Sequence, residues 1–87
     1  MNKLLSELGP GEQGTIIALN GGRGLQARLR ALGLAEGRVV RKLSALGWGG
    51  PVIVLINRAQ VAIGRGMAHR IVVNSGKNES GRENSKS

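Results

Sequence analysis

The apolar residues of this chain fall into short runs separated by glycines, a pattern of brief strands rather than long helices. Thr15-Ile16-Ile17-Ala18-Leu19 is β-branched and apolar, and predicts a first strand. In Gly37-Arg38-Val39-Val40-Arg41-Lys42-Leu43-Ser44 apolar and basic positions mix, as in a strand with one face in water. Val52-Ile53-Val54-Leu55-Ile56 is apolar throughout and predicts the most buried strand. Asn57-Arg58-Ala59-Gln60 then reads as a hairpin turn into Val61-Ala62-Ile63, and Ile71-Val72-Val73 closes the sheet.

One segment departs from this pattern. Leu25, Leu29 and Leu32 stand at i, i+4 and i+7 while Gln26, Arg28 and Arg30 occupy other faces, which predicts a short amphipathic helix whose leucines plug one end of a barrel. Gly33 stands where a left-handed cap would end that helix, and Leu34 can fold back on its last turn. About five short strands with one inserted α-helix make a small, mainly β barrel the most economical fold. Residues 1–74 form this domain; from Ser75 to Ser87 no large apolar side chain occurs, and a disordered polar tail is expected.

Composition narrows the function. A chain of 87 residues has room for one small core, which argues against an enzyme with a deep two-site cleft. There is no cysteine, so disulfides, thiolate metal sites and sulfur redox chemistry are excluded. No long apolar segment is present, at the start or elsewhere, and a cytoplasmic location is expected. The formal charge is +8, of which residues 1–74 carry +7, from ten lysines and arginines against three glutamates. The domain itself is therefore basic and suited to acidic partners: nucleic acid, an anionic membrane surface or an acidic protein face.

The candidate chemistry is sparse. His69 is the only histidine, and Glu7, Glu12 and Glu36 are too scattered to form a recognised metal-ligand spacing, so neither a metal site nor a cofactor is expected and His69 reads as a partly exposed residue in a turn. No paired carboxylates or Ser-His-Asp set can be assembled, so no catalytic residue is assigned. Gly22-Arg23-Gly24-Leu25-Gln26-Ala27 fits G-x-G-x-x-A in letters, but a dinucleotide site needs a parallel βαβ unit and an acidic residue downstream; the glycines read as a tight helix entry, with room for a weak anion site beside Arg23.

Arg38, Arg41, Lys42, Arg58 and Arg65 could share one face against phosphates, yet Trp48 is the sole aromatic side chain, so a stacking platform for single strands is missing and nucleic acid is not the expected partner. Trp48 lies between Gly47 and Gly49, either as a contact residue or folded over the barrel mouth. Taken as a protein-binding surface, Trp48 supplies the apolar centre, Arg41, Lys42 and Arg58 the steering rim, and Arg28 and Arg30 on the helix a second face.

The run Arg28-Leu29-Arg30-Ala31-Leu32-Gly33-Leu34-Ala35-Glu36-Gly37 resembles the helix-to-strand signature of the FeoA family. The order around it is similar too: Leu5-x-x-Leu8-x-Pro10-Gly11-Glu12 ahead of the first strand, Gly50-Pro51 before the buried one, and Ala68-x-x-Ile71-x-Val73 at the close. Gly64-Arg65-Gly66-Met67 departs from the family pattern in being richer in glycine and less acidic. The resemblance implies an SH3-like barrel, like that at the C-terminus of iron-dependent repressors. It also implies a bacterial accessory protein without chemistry of its own, which binds the ferrous iron transporter FeoB and its cytoplasmic GTP-binding domain. Contact with the inner face of the cell membrane would then come only through that partner. Two other readings stay open at this point, a small basic nucleic-acid-binding barrel and a repressor-associated regulatory domain.

Overall fold

A computed structural model describes residues 1–45 and 50–75. The chain runs β1 (Asn2–Leu4), a single 3₁₀ turn (Leu5–Glu7), β2 (Gln13–Leu19), α1 (Arg23–Ala31), β3 (Val39–Ala45), β4 (Val52–Ile56), β5 (Ala59–Ile63), α2 (Arg65–Ala68) and β6 (Ile71–Asn74). The strands form one antiparallel sheet in the order β1-β6-β2-β3-β4-β5. It does not close, but one residue is inserted in β2 between Ile16 and Ala18 and one in β3 between Lys42 and Ser44. Such bulges bend a strand and sharpen its twist, which lets six short strands wrap one core in the manner of a small SH3-like barrel.

The core follows the alternation of the strands. Val52, Val54 and Ile56 of β4 are buried with Ile16 and Leu19 of β2, Val40 of β3, Ile63 of β5, and Ile71 and Val73 of β6. Leu5 and Leu8 close one side, Ala68 packs in from α2, and Leu29 with Leu34 fills the centre from the α1 end. Gly14 of β2 shows how tight the sheet is: a Cβ there would lie 3.1 Å from both the Asn74 carbonyl and the Val73 Cβ.

The end of α1 is built as its sequence predicts. Gly33 takes φ +89°, its N–H donates to the Arg30 carbonyl at 2.9 Å, and the Leu34 N–H reaches back to the Leu29 carbonyl at 2.9 Å. This pair of bonds is a Schellman cap, and it turns Leu34 inward onto the helix it terminates.

Two expectations need correction, and one strand is added: beside the five read from the sequence, the Asn2–Leu4 segment lies along β6 as β1, making six among the described residues. The leucine stripe of α1 does not extend to Leu32: the helix ends at Ala31, and Leu32, at the cap, is 42% exposed. The hairpin turn is only Asn57-Arg58, since Ile56 already pairs with Ala59 and Leu55 with Gln60. Residues 76–87 of the expected polar tail lie outside the described residues; Ser75, its first residue, donates its N–H to the Met1 carbonyl at 3.0 Å.

Glu12 ties the first loop to β1. Its carboxylate accepts the Gly9 N–H at 2.8 Å and pairs with the Lys3 ammonium at 3.3 Å. The Gly9 hydrogen bond first, and then Lys3, hold its pKa below the ordinary carboxylate value of 4.5. A carboxylate whose folded pKa is depressed contributes stability above its unfolded pKa and loses it as pH falls through the folded value. Unfolding midpoints of the wild type should therefore fall on acidification below about pH 4.5, and those of Glu12→Gln should fall less steeply over the same window. Parallel curves for the two proteins would remove Glu12 from the acid response.

Candidate functional site

Basic and exposed apolar side chains converge at one end of the sheet, where three segments meet. The first is the C-terminus of α1, with Arg28, Arg30 and Leu32 exposed. The second is the connection into β3, which carries Glu36, Arg38 and Val39. The third is the β4–β5 turn. Gly33 joins the first to the third, because a Cβ at that position would lie 3.1 Å from the Asn57 side-chain nitrogen. Arg38 joins the second to the third by donating from Nη1 to Asn57 Oδ1 at 3.3 Å. The backbone bonds from Ile16 N–H to the Arg38 carbonyl and from Gly37 N–H to the Ile16 carbonyl, both 2.8 Å, bring Ile17 alongside.

Leu32, Val39 and Ile17 are 42, 53 and 42% exposed, and apart from Met1 they are the exposed large apolar side chains among the described residues. An apolar centre rimmed by arginines is the usual composition of a protein-binding surface. Arg30 Nη2 pairs with Glu36 Oε2 at 3.1 Å, an exposed bridge that orients the guanidinium with little effect on stability. The Glu36 backbone N–H, and after it Arg30, lower the Glu36 pKa.

Arg58 stands at the tip of this end. Asn57 and Arg58 have φ of 53° and 65°, the two left-handed residues of a type I′ hairpin, where asparagine followed by glycine is favoured. Arginine at the second position costs about 1–2 kcal/mol of backbone strain, against roughly 0.5–1 kcal/mol of chain entropy that a glycine would lose on folding. Arg58→Gly should therefore stabilise the domain by about 0.5–1 kcal/mol, read from denaturant unfolding. A destabilised variant would show that the turn is not held in this conformation. Arg58 thus holds a long exposed cation at a backbone position suited to glycine.

The other predicted contact residues are placed differently. Arg41 is exposed, but on the outer face of the sheet about 10 Å along β3 from Arg38, where its Nη2 donates to Gln13 Oε1 at 3.2 Å. Lys42 is not a rim residue: it is 8% exposed, on the inward face with Val40 by strand alternation, and its Nζ donates to the Ser6 carbonyl at 3.3 Å. The expected shared face of Arg38, Arg41, Lys42, Arg58 and Arg65 is therefore broken. Trp48 lies outside the described residues. Asn57 and the apolar trio Ile17, Leu32 and Val39 are not read from the sequence as surface residues of one patch. Only the two-residue gap between the apolar runs ending at Ile56 and resuming at Ala59 hints at the tight turn that makes Asn57 central.

His69 is exposed at the end of α2, its Nδ1 2.7 Å from Ser6 Oγ. Among the described residues no group of three or more histidine, aspartate or glutamate side chains could hold a metal ion. Nor is any helix among them long and apolar enough to cross a membrane.

The profile of the FeoA domain matches residues 3–75. The chain belongs to the FeoA family. Among solved structures it is similar to an iron uptake regulatory protein, FeoA, with 34% identity over 85% of this chain and 96% of that one and a TM-score of 0.77. FeoA from Chlorobium tepidum is 27% identical over 88% of this chain and 74% of that one, TM-score 0.77. FeoA from Stenotrophomonas maltophilia, solved with zinc and described as a prokaryotic SH3 domain protein, is 28% identical over 83% and 89%, TM-score 0.70. A manganese-dependent transcriptional repressor shares the fold at 23% identity, over 85% of this chain but only 41% of its own. Comparison with curated protein sequences finds no match. FeoA proteins are small SH3-like domains linked to ferrous iron transport, and this chain has their fold.

Proposed function

We propose that this FeoA-family protein is a cytoplasmic accessory of ferrous iron uptake that performs no chemistry itself and binds the membrane transporter FeoB through the basic end formed by α1, the start of β3 and the β4–β5 turn. The observation that carries this reading is the convergence of Arg28, Arg30, Arg38 and Arg58 around exposed Leu32 and Val39, stitched together through Asn57. Family membership supplies the transport context, and charge supplies the direction of approach: a +7 domain associates faster with an acidic protein face, by a rate that falls with salt. Recruitment to the inner face of the membrane follows from the partner.

Surface-binding kinetics against detergent-solubilised FeoB test this. Arg58→Ala combined with Arg38→Ala should slow association and flatten its salt dependence, whereas Leu32→Ala should mainly speed dissociation. Binding by the folded double-arginine variant that is unchanged in rate and salt response would move the interface elsewhere, with Arg41 and the segment around Trp48 the next surfaces to test.

A further inference from the structure

The two edges of the sheet are guarded unequally. β1 is three residues long, carries Lys3, and is followed across the chain ends by the bond from Ser75 to Met1. β5 reads Ala59-Gln60-Val61-Ala62-Ile63, without a charge, a proline or a bulge, and β4 is its only strand partner among the described residues. Those are the devices that usually keep an edge strand from pairing with another chain, and β5 has none of them. Because the turn has two residues, Ile56 and Ala59 form a hydrogen-bonded pair, and alternation along an antiparallel ladder then points the N–H and C=O of Gln60 and Ala62 away from β4. Both residues are exposed, and their backbone groups take part in none of the loop bonds among the described residues.

The ends of this edge are basic. Arg58 precedes it in the turn and Arg65 follows it at the start of α2, on either side of the five-residue strand. The Arg58 side chain is exposed and makes no hydrogen bond, and Arg65, half-buried, has its Nε covered without a hydrogen-bond partner, among the described residues. A second copy of this chain would bring another +7 domain and its own two arginines against them, so charge disfavours self-pairing.

We propose that β5 is a docking edge for an extended segment of another protein, added as a further strand, with small or β-branched residues along Gln60–Ala62 and acidic residues at both ends facing Arg58 and Arg65. Strand addition of this kind draws affinity from main-chain bonds and specificity from the flanking side chains. That the segment belongs to the transporter rests on the reading above; that the edge takes an acidic strand does not.

The test uses the full chain, isotopically labelled, and a synthetic peptide of alternating valine and threonine with paired glutamates at each end. The peptide should shift the amide resonances of Gln60 and Ala62 and slow their hydrogen exchange by about tenfold or more, while the same peptide ending in lysines should bind at least about tenfold more weakly. Ala62→Pro removes an outward N–H that β4 does not use, and should weaken binding by about tenfold with circular dichroism unchanged. Should that variant fail to fold, the exchange measurement on the wild type decides by itself. Shifts centred away from β5, equal binding of both peptides, or a wild-type dimer in sedimentation that Ala62→Pro dissolves would each overturn the proposal. No transporter is present in this experiment, so a failure here leaves the FeoB reading standing, and a failure to bind FeoB leaves this one standing.

Discussion

Leu29→Ala should cost about 2–5 kcal/mol of unfolding free energy, the largest loss expected from a single truncation at the helix. The side chain is fully buried and joins leucines and valines from both halves of the sheet, so its removal leaves a cavity that a short helix fixed by its cap cannot collapse. The Leu29 carbonyl also receives the Leu34 N–H, and any shift of the helix to fill the space would strain that bond. Leu32→Ala, one turn on, should change stability by no more than about 0.5 kcal/mol, because Leu32 is exposed beyond the last helical residue. Denaturant unfolding of both variants checks the contrast. Equal losses would mean that the helix extends past Ala31 and that Leu32 belongs to the core instead of the contact surface.

Lys42→Glu should destabilise by about 3 kcal/mol or more, while Lys42→Met should stay within about 1 kcal/mol of the wild type. The Lys42 side chain is largely covered, its ammonium donates to a backbone carbonyl in a part-buried setting, and no carboxylate pairs with it among the described residues. A glutamate would bring a second acceptor to the Ser6 carbonyl and bury an unpaired charge. A methionine keeps the packing of the aliphatic stem and gives up one charged hydrogen bond, part of which the avoided desolvation of the ammonium offsets. If Lys42→Glu folds with wild-type stability, the side chain reaches water and Lys42 returns to the rim of the candidate surface.

The contrast between Leu29 and Lys42 also shows where local sequence sufficed. The α1 stop was legible because Gly33 and Leu34 meet a geometric demand, a left-handed residue followed by an apolar one, which few other sequences satisfy. β4 was legible because its run of five apolar residues, four of them β-branched, is too short for a buried helix and suits a buried strand. Lys42 was read by its charge, although Val40 and Lys42 lie two residues apart on one strand and so share a face; alternation outweighed polarity, and the long stem made the burial tolerable.

β1 could not be read from its own residues, since Asn2, Lys3 and Leu4 form a strand only because β6 offers an edge. The proposed contact surface was half legible. Arg28, Arg30 and Arg58 could be named as basic residues, but nothing local shows that Asn57 brings the α1 cap and Arg38 to the same turn, or that Leu32, at the cap, lies outside the core.

Ferrous iron uptake in cells tests the central claim most directly. A strain lacking this protein, supplied with the wild type or with the Arg38→Glu/Arg58→Glu variant at equal and folded levels, should recover radiolabelled iron uptake only with the wild type, because reversing two charges turns attraction to an acidic partner face into repulsion. Full recovery of uptake by the folded charge-reversed protein would contradict the assignment of this basic end as the working surface.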